Sequence, residues 1–337
     1  MRTLLRRLLW LVAMLLGITF ATFAVVDLAP VDRAELAVAR AAGDRAFSGL
    51  DERQRAVVQL RIQYGMLDPA TLQPTPLWRR YVDWLANAVH LRFAGPGGDH
   101  DGLWRRLAQA WPTTALLGGL ALLVAFGLGV PLGVRLGCRA GSRGEGLASA
   151  ALLVLGALPE FLLATVLLAT FGAAWLQWFP VSGLRSAGAE AWPMWRQGVD
   201  LCRHLALPVA VLAAGPLALV ARYVRDAVAR ADRAPWAEAL RALGAPPALL
   251  RRRLRRHGVL PAATLAGSLL PMLVAGSVVA ENAFALDGLG HLAFTAASEL
   301  DQPLLLALVV LGALATLLAY AFADWLHARL DRRMGDA

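Results

Sequence analysis

The chain of 337 residues is 58% hydrophobic and only 17% charged, with 31 Gly, 18 Pro and 2 Cys. Soluble domains carry about 25% charged residues, so this deficit points to a membrane rather than to two soluble domains. All 33 basic residues are Arg. Without lysine there is no P-loop, whose Lys holds nucleotide phosphates, and no Schiff-base chemistry. An ATPase site of its own is therefore not expected, nor is any cofactor.

A helix needs about 20 apolar residues to cross ~30 Å of hydrocarbon. Runs of that kind lie at 8–26, 107–134, 146–184 (interrupted once by Glu160), 204–221, 257–280 and 302–323, so six spans are expected. The first follows Arg2, Arg6 and Arg7. It is longer than a cleaved signal's apolar region and lacks an A-x-A site, so it reads as a retained helix. The third run reads as one helix kinked near Pro159, followed by an interfacial aromatic anchor at Trp175 to Pro180. The fourth, with Pro208 and Pro216 inside 18 residues, is the weakest of the six.

Cytoplasmic loops of membrane proteins carry an excess of Arg. The N-terminal tail, 135–145, 222–256 and the C-terminal tail hold 3, 3, 10 and 3 Arg, whereas the longer alternate segments 27–106, 185–203 and 281–301 hold 14 Arg against 16 acids. Both termini are thus expected in the cytosol. Cys138 and Cys202 then fall near opposite faces, which excludes a disulfide within the chain. The six histidines form no metal-binding spacing, so no metal site is expected. The layout is 1–28, N-terminal tail and first span; 29–106, extracytoplasmic segment; 107–326, transmembrane domain with a cytoplasmic loop at 222–261; and 327–337, cytoplasmic tail.

In the extracytoplasmic segment, Leu36 to Leu60 carries apolar residues at helical spacing, Leu77 to Leu85 reads as an amphipathic interfacial helix, and Gly95 to Gly98 breaks it. Docking surface and solvated linker both fit. The loop 222–256 has ten Arg and three acids. A short helix restarts at Pro235 and Gly244 ends it. Pro246-Pro247 then opens a second helix bearing Arg251, Arg252, Arg253, Arg255 and Arg256. The arginines alone suit topology and anionic lipid, and no nucleic-acid recognition motif accompanies them. The glycine turn and Glu238 are required by neither role and favour protein docking.

Trp236-Ala-Glu238-Ala239-Leu-Arg241-Ala-Leu-Gly244, followed by a basic stretch and Val259-Leu260-Pro261, resembles the EAA loop of binding-protein-dependent ABC transporter permeases. Leu28-Ala-Pro30, Leu158-Pro159-Glu160-Phe161, Trp178-Phe-Pro180-Val-Ser182-Gly183, His204-Leu-Ala-Leu-Pro208 and Glu281-Asn-Ala-Phe284-Ala-Leu-Asp287-Gly288-Leu289-Gly290 resemble the dipeptide, oligopeptide and nickel branch of that family. The resemblance covers nearly the whole chain in order. Departures include Asp287 where Pro is usual and Arg256-His257-Gly258 where Arg-Asn-Ala is usual.

The resemblance implies an all-α type I importer permease in the bacterial inner membrane, forming the pathway for peptides, nickel or similar solutes. It implies ATPase coupling through Glu238, Ala239, Arg241, Gly244, Arg252, Leu260 and Pro261. The implied partners are a second permease subunit in a heterodimer, two cytoplasmic ATPase subunits and an extracytoplasmic solute-binding protein, with membrane lipid around them. From the residues themselves, a charge at Glu160 inside a span costs roughly 2.5–3.5 kcal/mol, so Glu160 is expected to face the pathway and a substrate's amino group or cation, to bond backbone freed at Pro159, or to meet a partner permease between helices. Gly127, Gly129, Gly133, Gly267, Ser268, Gly276 and Ser277 permit close helix approach, and Gly276 is also a pathway candidate. Glu281, Gly288 and Gly290 read as an external gate, a binding-protein contact, or a plain glycine turn. The rival is a stand-alone secondary transporter or channel using Glu160 as a proton or cation site, which would need no cytoplasmic knob.

Overall fold

The computed structural model describes residues 2–28, 34–36, 38–39, 50–93, 99–173 and 175–330, without the side chains of residues 2–11, 50, 173, 259–261, 263–264, 266–268, 270–277 and 322–330. Gly95 to Gly98 and most of Leu28-Ala29-Pro30 thus lie outside the described residues. The helices are α1 (Arg2–Asp27), α2 (Leu50–Gln63), α3 (Leu77–Val89), α4 (His100–Gly137), α5 (Arg143–Ala157), α6 (Glu160–Leu167), α7 (Met194–Asp232), α8 (Pro235–Ala242), α9 (Pro247–Ala283), α10 (Leu289–Glu299) and α11 (Gln302–Leu330). A π turn, Leu168–Ala173, continues α6. Among the described residues no strand forms beyond one isolated bridge, Leu67 to Pro74. The fold is all-α.

Among the described residues, α4, α7 and 302–321 of α11 are long and apolar enough to cross a membrane, and α5 with α6 makes a fourth if the bent pair is one span. α1 and α9 cover the first and fifth apolar runs. The kink expected near Pro159 is a full break, with α5 and α6 meeting at 102°. Leu158 adopts an extended ψ of 126° because a residue before proline is forced out of the α region, and Pro159, the N-cap of α6, is extended as well, with ψ 137°.

The run that looked weakest in sequence belongs to the longest helix. α7 runs 39 residues straight through Pro208 and Pro216, and 72% of its most apolar stretch is buried. Charged residues limited the apolar run without limiting the helix. Asp200 and His204 extend α7 on one side because their polar groups are satisfied by protein. Asp200 accepts from Ser186 Oγ (2.6 Å) and Ser186 N (2.9 Å), and His204 Nδ1 donates to the Asp200 carbonyl (2.9 Å). At the other end Arg225 reaches Glu145, 5% exposed, at 2.8 Å. That carboxylate also accepts from Ser149 Oγ (2.6 Å) and Gly141 N (3.1 Å), while Ser142 Oγ accepts from Glu145 N. The Ser142 hydroxyl caps α5, and Glu145 reaches back one residue beyond the cap, to Gly141 N.

The chain divides into two units, residues 1–109 with 292–313 and residues 110–291 with 314–337. In the first, α3 presents an aromatic face to α1. Tyr81 OH donates to the Leu16 carbonyl (3.0 Å) and meets Thr19 Oγ1 (2.9 Å), and the Phe20 and Phe23 rings stand edge-on to it. Arg80 pairs with Asp27. The opposite face of α3, with Trp78, Val82 and Val89, is exposed, in keeping with the amphipathic helix expected there.

The second unit is built around α7. Gly129, Gly133 and Gly137 form a stripe along α4 at four-residue spacing, and α7 lies in it. A Cβ at Gly133 would meet the Ala221 carbonyl at 2.5 Å, and one at Gly137 would meet Val228 at 2.6 Å. A Cβ at Gly258 of α9 would meet Val228 at 2.9 Å and Val224 at 3.0 Å. Small residues supply this close backbone packing where lipid gives helices no hydrophobic reason to associate. Leu117 and Ala121 of α4, Ala164 of α6, Leu205, Val211 and Leu212 of α7, and Ala280, Phe284 and Leu286 close the core.

Candidate functional site

Two turns frame the helix α9. At its start, Pro235 occupies the first turn of α8 and Gly244 adopts φ +69°. Gly244 N donates to the Arg241 carbonyl and Ala245 N to the Leu240 carbonyl, both at 3.0 Å. These are the two bonds of a Schellman cap, whose left-handed position favours glycine. Ala237 is fully buried. Trp236 stacks on His257 (centroids 5.0 Å) and packs against the cluster around Val224, Val228 and Leu254. Around that anchor Glu238, Ala239, Arg241 and Gly244 are exposed, as are Arg252 and the rest of the arginine cluster. Arg241 pairs with Asp232 and donates to its carbonyl (2.9 Å), tying α8 back to the end of α7. The environments of Leu260, Pro261 and Gly276 lie outside the described side chains.

At its other end α9 finishes in a second Schellman cap. Leu286 N donates to the Glu281 carbonyl (2.8 Å) and Ala285 N to that of Asn282 (3.3 Å). The left-handed residue here is Ala285, φ +48°. Glu281 lies within the helix, fully buried, so Glu160 is not the single intrahelical acid that the apolar runs suggested. The Glu281 carboxylate accepts from Thr114 Oγ1 (2.7 Å) and His291 N (2.9 Å), and Thr114 Oγ1 accepts in turn from Leu289 N (2.8 Å). His291 Nδ1 donates to Asn282 Oδ1 (2.9 Å). A Cβ at Gly288 would fall 2.3 Å from the Glu281 carboxylate, and one at Gly290 would fall 2.6 Å from the Val278 backbone.

The structure therefore brings Glu281, Gly288 and Gly290 together, and it adds Thr114, Asn282 and His291. Sequence reading missed Thr114; its only signal was a threonine pair, Thr113-Thr114, inside an apolar run. Glu160 takes no part in this node. It stands half-buried in the first turn of α6, beside exposed Pro159. Among the described residues its carboxylate has no hydrogen-bond or ion-pair partner, so the expected bond to backbone freed at the break is not made. The Glu281 carboxylate ties together backbone and side-chain donors from α4 and the first turn of α10.

The family model described as "Binding-protein-dependent transport system inner membrane component" matches residues 129–336, and the chain belongs to that family. It is a multi-pass inner-membrane protein, a permease subunit of an ABC importer, a class that lacks an ATPase site of its own and works with ATPase and binding-protein partners. The chain is similar to the oligopeptide transport system permease protein AppB of Bacillus subtilis (strain 168), 29% identical over 336 residues and 98% of each chain. It is 28% identical over 343 residues to the di/tripeptide transport system permease protein DppB of Pseudomonas aeruginosa (strain UCBPP-PA14), covering 98% of this chain and 97% of that one. It is also 23% identical over 361 residues to the peptidoglycan transport system permease protein YejB of Agrobacterium fabrum, again 98% and 97% covered.

Proposed function

We propose that this chain forms half of the translocation pathway of a peptide importer and is driven by cytoplasmic ATPase subunits gripping the hairpin α8–Gly244–α9. The observation that carries this reading is the hairpin's construction. Trp236 and Ala237 root it in the protein while Glu238, Ala239, Arg241, Gly244 and Arg252 face outward. A surface held at its base and open at its tip is suited to receive force from a partner. The arginine distribution supports six spans with both termini in the cytosol, which puts the hairpin on the ATPase side and the Gly288 turn on the side of a binding protein.

The remaining partner would be a second permease chain, in a heterodimer. Peptides are the proposed cargo because the relatives named above include oligopeptide and di/tripeptide permeases. The decisive measurement is ATP-dependent uptake of a labelled tripeptide by the reconstituted complex. Gly244→Arg should lower uptake at least tenfold while the chain still assembles. Unchanged uptake would remove the hairpin from the mechanism, and uptake persisting without any ATPase would favour a stand-alone transporter.

A further inference from the structure

α9 is one continuous helix of 37 residues, Pro247–Ala283, about 55 Å long at ~1.5 Å per residue. It begins at the proposed ATPase handle and ends in the buried node. At that node Glu281 is fully buried. Its carboxylate takes the Thr114 hydroxyl at 2.7 Å and the His291 amide at 2.9 Å, and Thr114 takes the Leu289 amide at 2.8 Å. Three pieces of chain meet there: α4 at Thr114, the end of α9, and the first turn of α10. Glycines at 288 and 290 leave the space that the carboxylate and the Val278 backbone occupy. The turn is further tied by Gly183 N donating to the Phe284 carbonyl (3.0 Å).

We propose that Glu281, with Thr114, is a positioning residue that joins the end of α9 to the turn 284–291, so that displacement of α9 by the hairpin at Gly244 is passed on to that turn. The joint rests on the hairpin reading given above and adds its far end. A helix that frayed at residue 281 would absorb the motion in its last turn. A carboxylate bonded to both neighbouring segments prevents this, because moving α9 alone would leave two buried donors without an acceptor.

The test uses the full transporter complex in proteoliposomes, with Cys138→Ser, Cys202→Ser and Asp287→Cys in this chain, Asp287 being exposed in the turn. The probe is a membrane-impermeant maleimide, and its labelling rate is compared with and without ATP-vanadate trapping. In the parent, trapping should change the rate at least fivefold. Thr114→Val and Glu281→Ala should reduce that change to less than twofold although vanadate is still trapped, whereas Glu281→Gln, which keeps an acceptor oxygen, should retain most of it. Gly244→Arg should abolish trapping and the change together. If Thr114→Val and Glu281→Ala keep the full response while Gly244→Arg loses it, the joint is wrong and the hairpin stands. A full response in Gly244→Arg overturns the hairpin reading, and the joint with it. Thr114→Val, which removes only a hydroxyl, serves if Glu281→Ala fails to assemble.

Discussion

The two turns that flank α9, one closing α8 and the other closing α9 itself, are made by the same pair of backbone hydrogen bonds and yet use glycine for opposite reasons. At the Gly244 hairpin the glycine holds the left-handed position, φ +69°, and nothing lies within 4 Å of where a Cβ would stand. At the other end the left-handed position is filled by Ala285, and the glycines at 288 and 290 are there for room. One turn needs a backbone conformation; the other needs a volume. The first can therefore be open and gripped from outside, while the second is closed around a carboxylate.

The strongest way to break this contrast is Gly290→Ala. Its Cβ would meet the Val278 backbone at 2.6 Å, and overpacking of this kind costs about 1–3 kcal/mol. A clear fall in the thermal unfolding midpoint of the purified protein is expected, and an unchanged midpoint would show that the turn is not space-limited.

Glu281→Ala comes next, leaving the Thr114 hydroxyl and the His291 amide without their acceptor at about 1–3 kcal/mol. It should also make Gly288→Ala harmless, since the three nearest atoms to a Cβ there all belong to the Glu281 side chain. A double-mutant cycle measures this coupling, and simple additivity of the two losses would contradict it.

Gly244→Ala places an alanine in the left-handed region at roughly 1–2 kcal/mol. Gly244→Asn should recover most of that loss, because asparagine visits this region readily, whereas Asn at 290 should be worse than Ala. Conversely, Ala285→Gly should raise the unfolding midpoint slightly, by relief of about 1 kcal/mol of strain.

The smallest effect belongs to a third turn, at Asp68, whose Oδ1 accepts from Ala70 N (2.9 Å) and Thr71 N (3.3 Å). These backbone donors hold its carboxyl below the usual range. A depressed folded value contributes stability that is present above the unfolded pKa, about 3.9, and is lost as pH falls through the lower folded value. The protection factors of the Ala70 and Thr71 amides, which remove the intrinsic pH dependence of exchange, should therefore fall only in strong acid. Loss of protection near neutrality would mean the turn is held by something else.

The hairpin was legible in the sequence because its signals are local. Proline opens α8 and α9, glycine ends α8, and exposed arginines need no partner to be noticed. The node was only half legible. Glu281, Gly288 and Gly290 stand in one short stretch, but Thr114 lies 167 residues away from Glu281, and nothing local marks a threonine as a partner. The ends of helices were legible only where glycine or proline marks them. Where charge ended an apolar run, as at Glu281 or before His204, the helix continued, because buried hydrogen bonds satisfied groups that lipid could not. The break at Pro159 was visible as a kink, but its size was not, since two successive residues, Leu158 and Pro159, leave the helical region.

The polar pins at the two ends of α7 bear on how the chain is made. Asp200 and Arg225 lie 25 residues apart, about 38 Å along a helix, and the stretch between them holds a histidine and two prolines. Such a segment enters lipid reluctantly by itself. Its receiving groove, the glycine stripe of α4, comes earlier in the chain and is synthesised first. Filling that stripe with larger side chains should deny α7 its place, so damage there is expected to show first as lost protein rather than as slow transport.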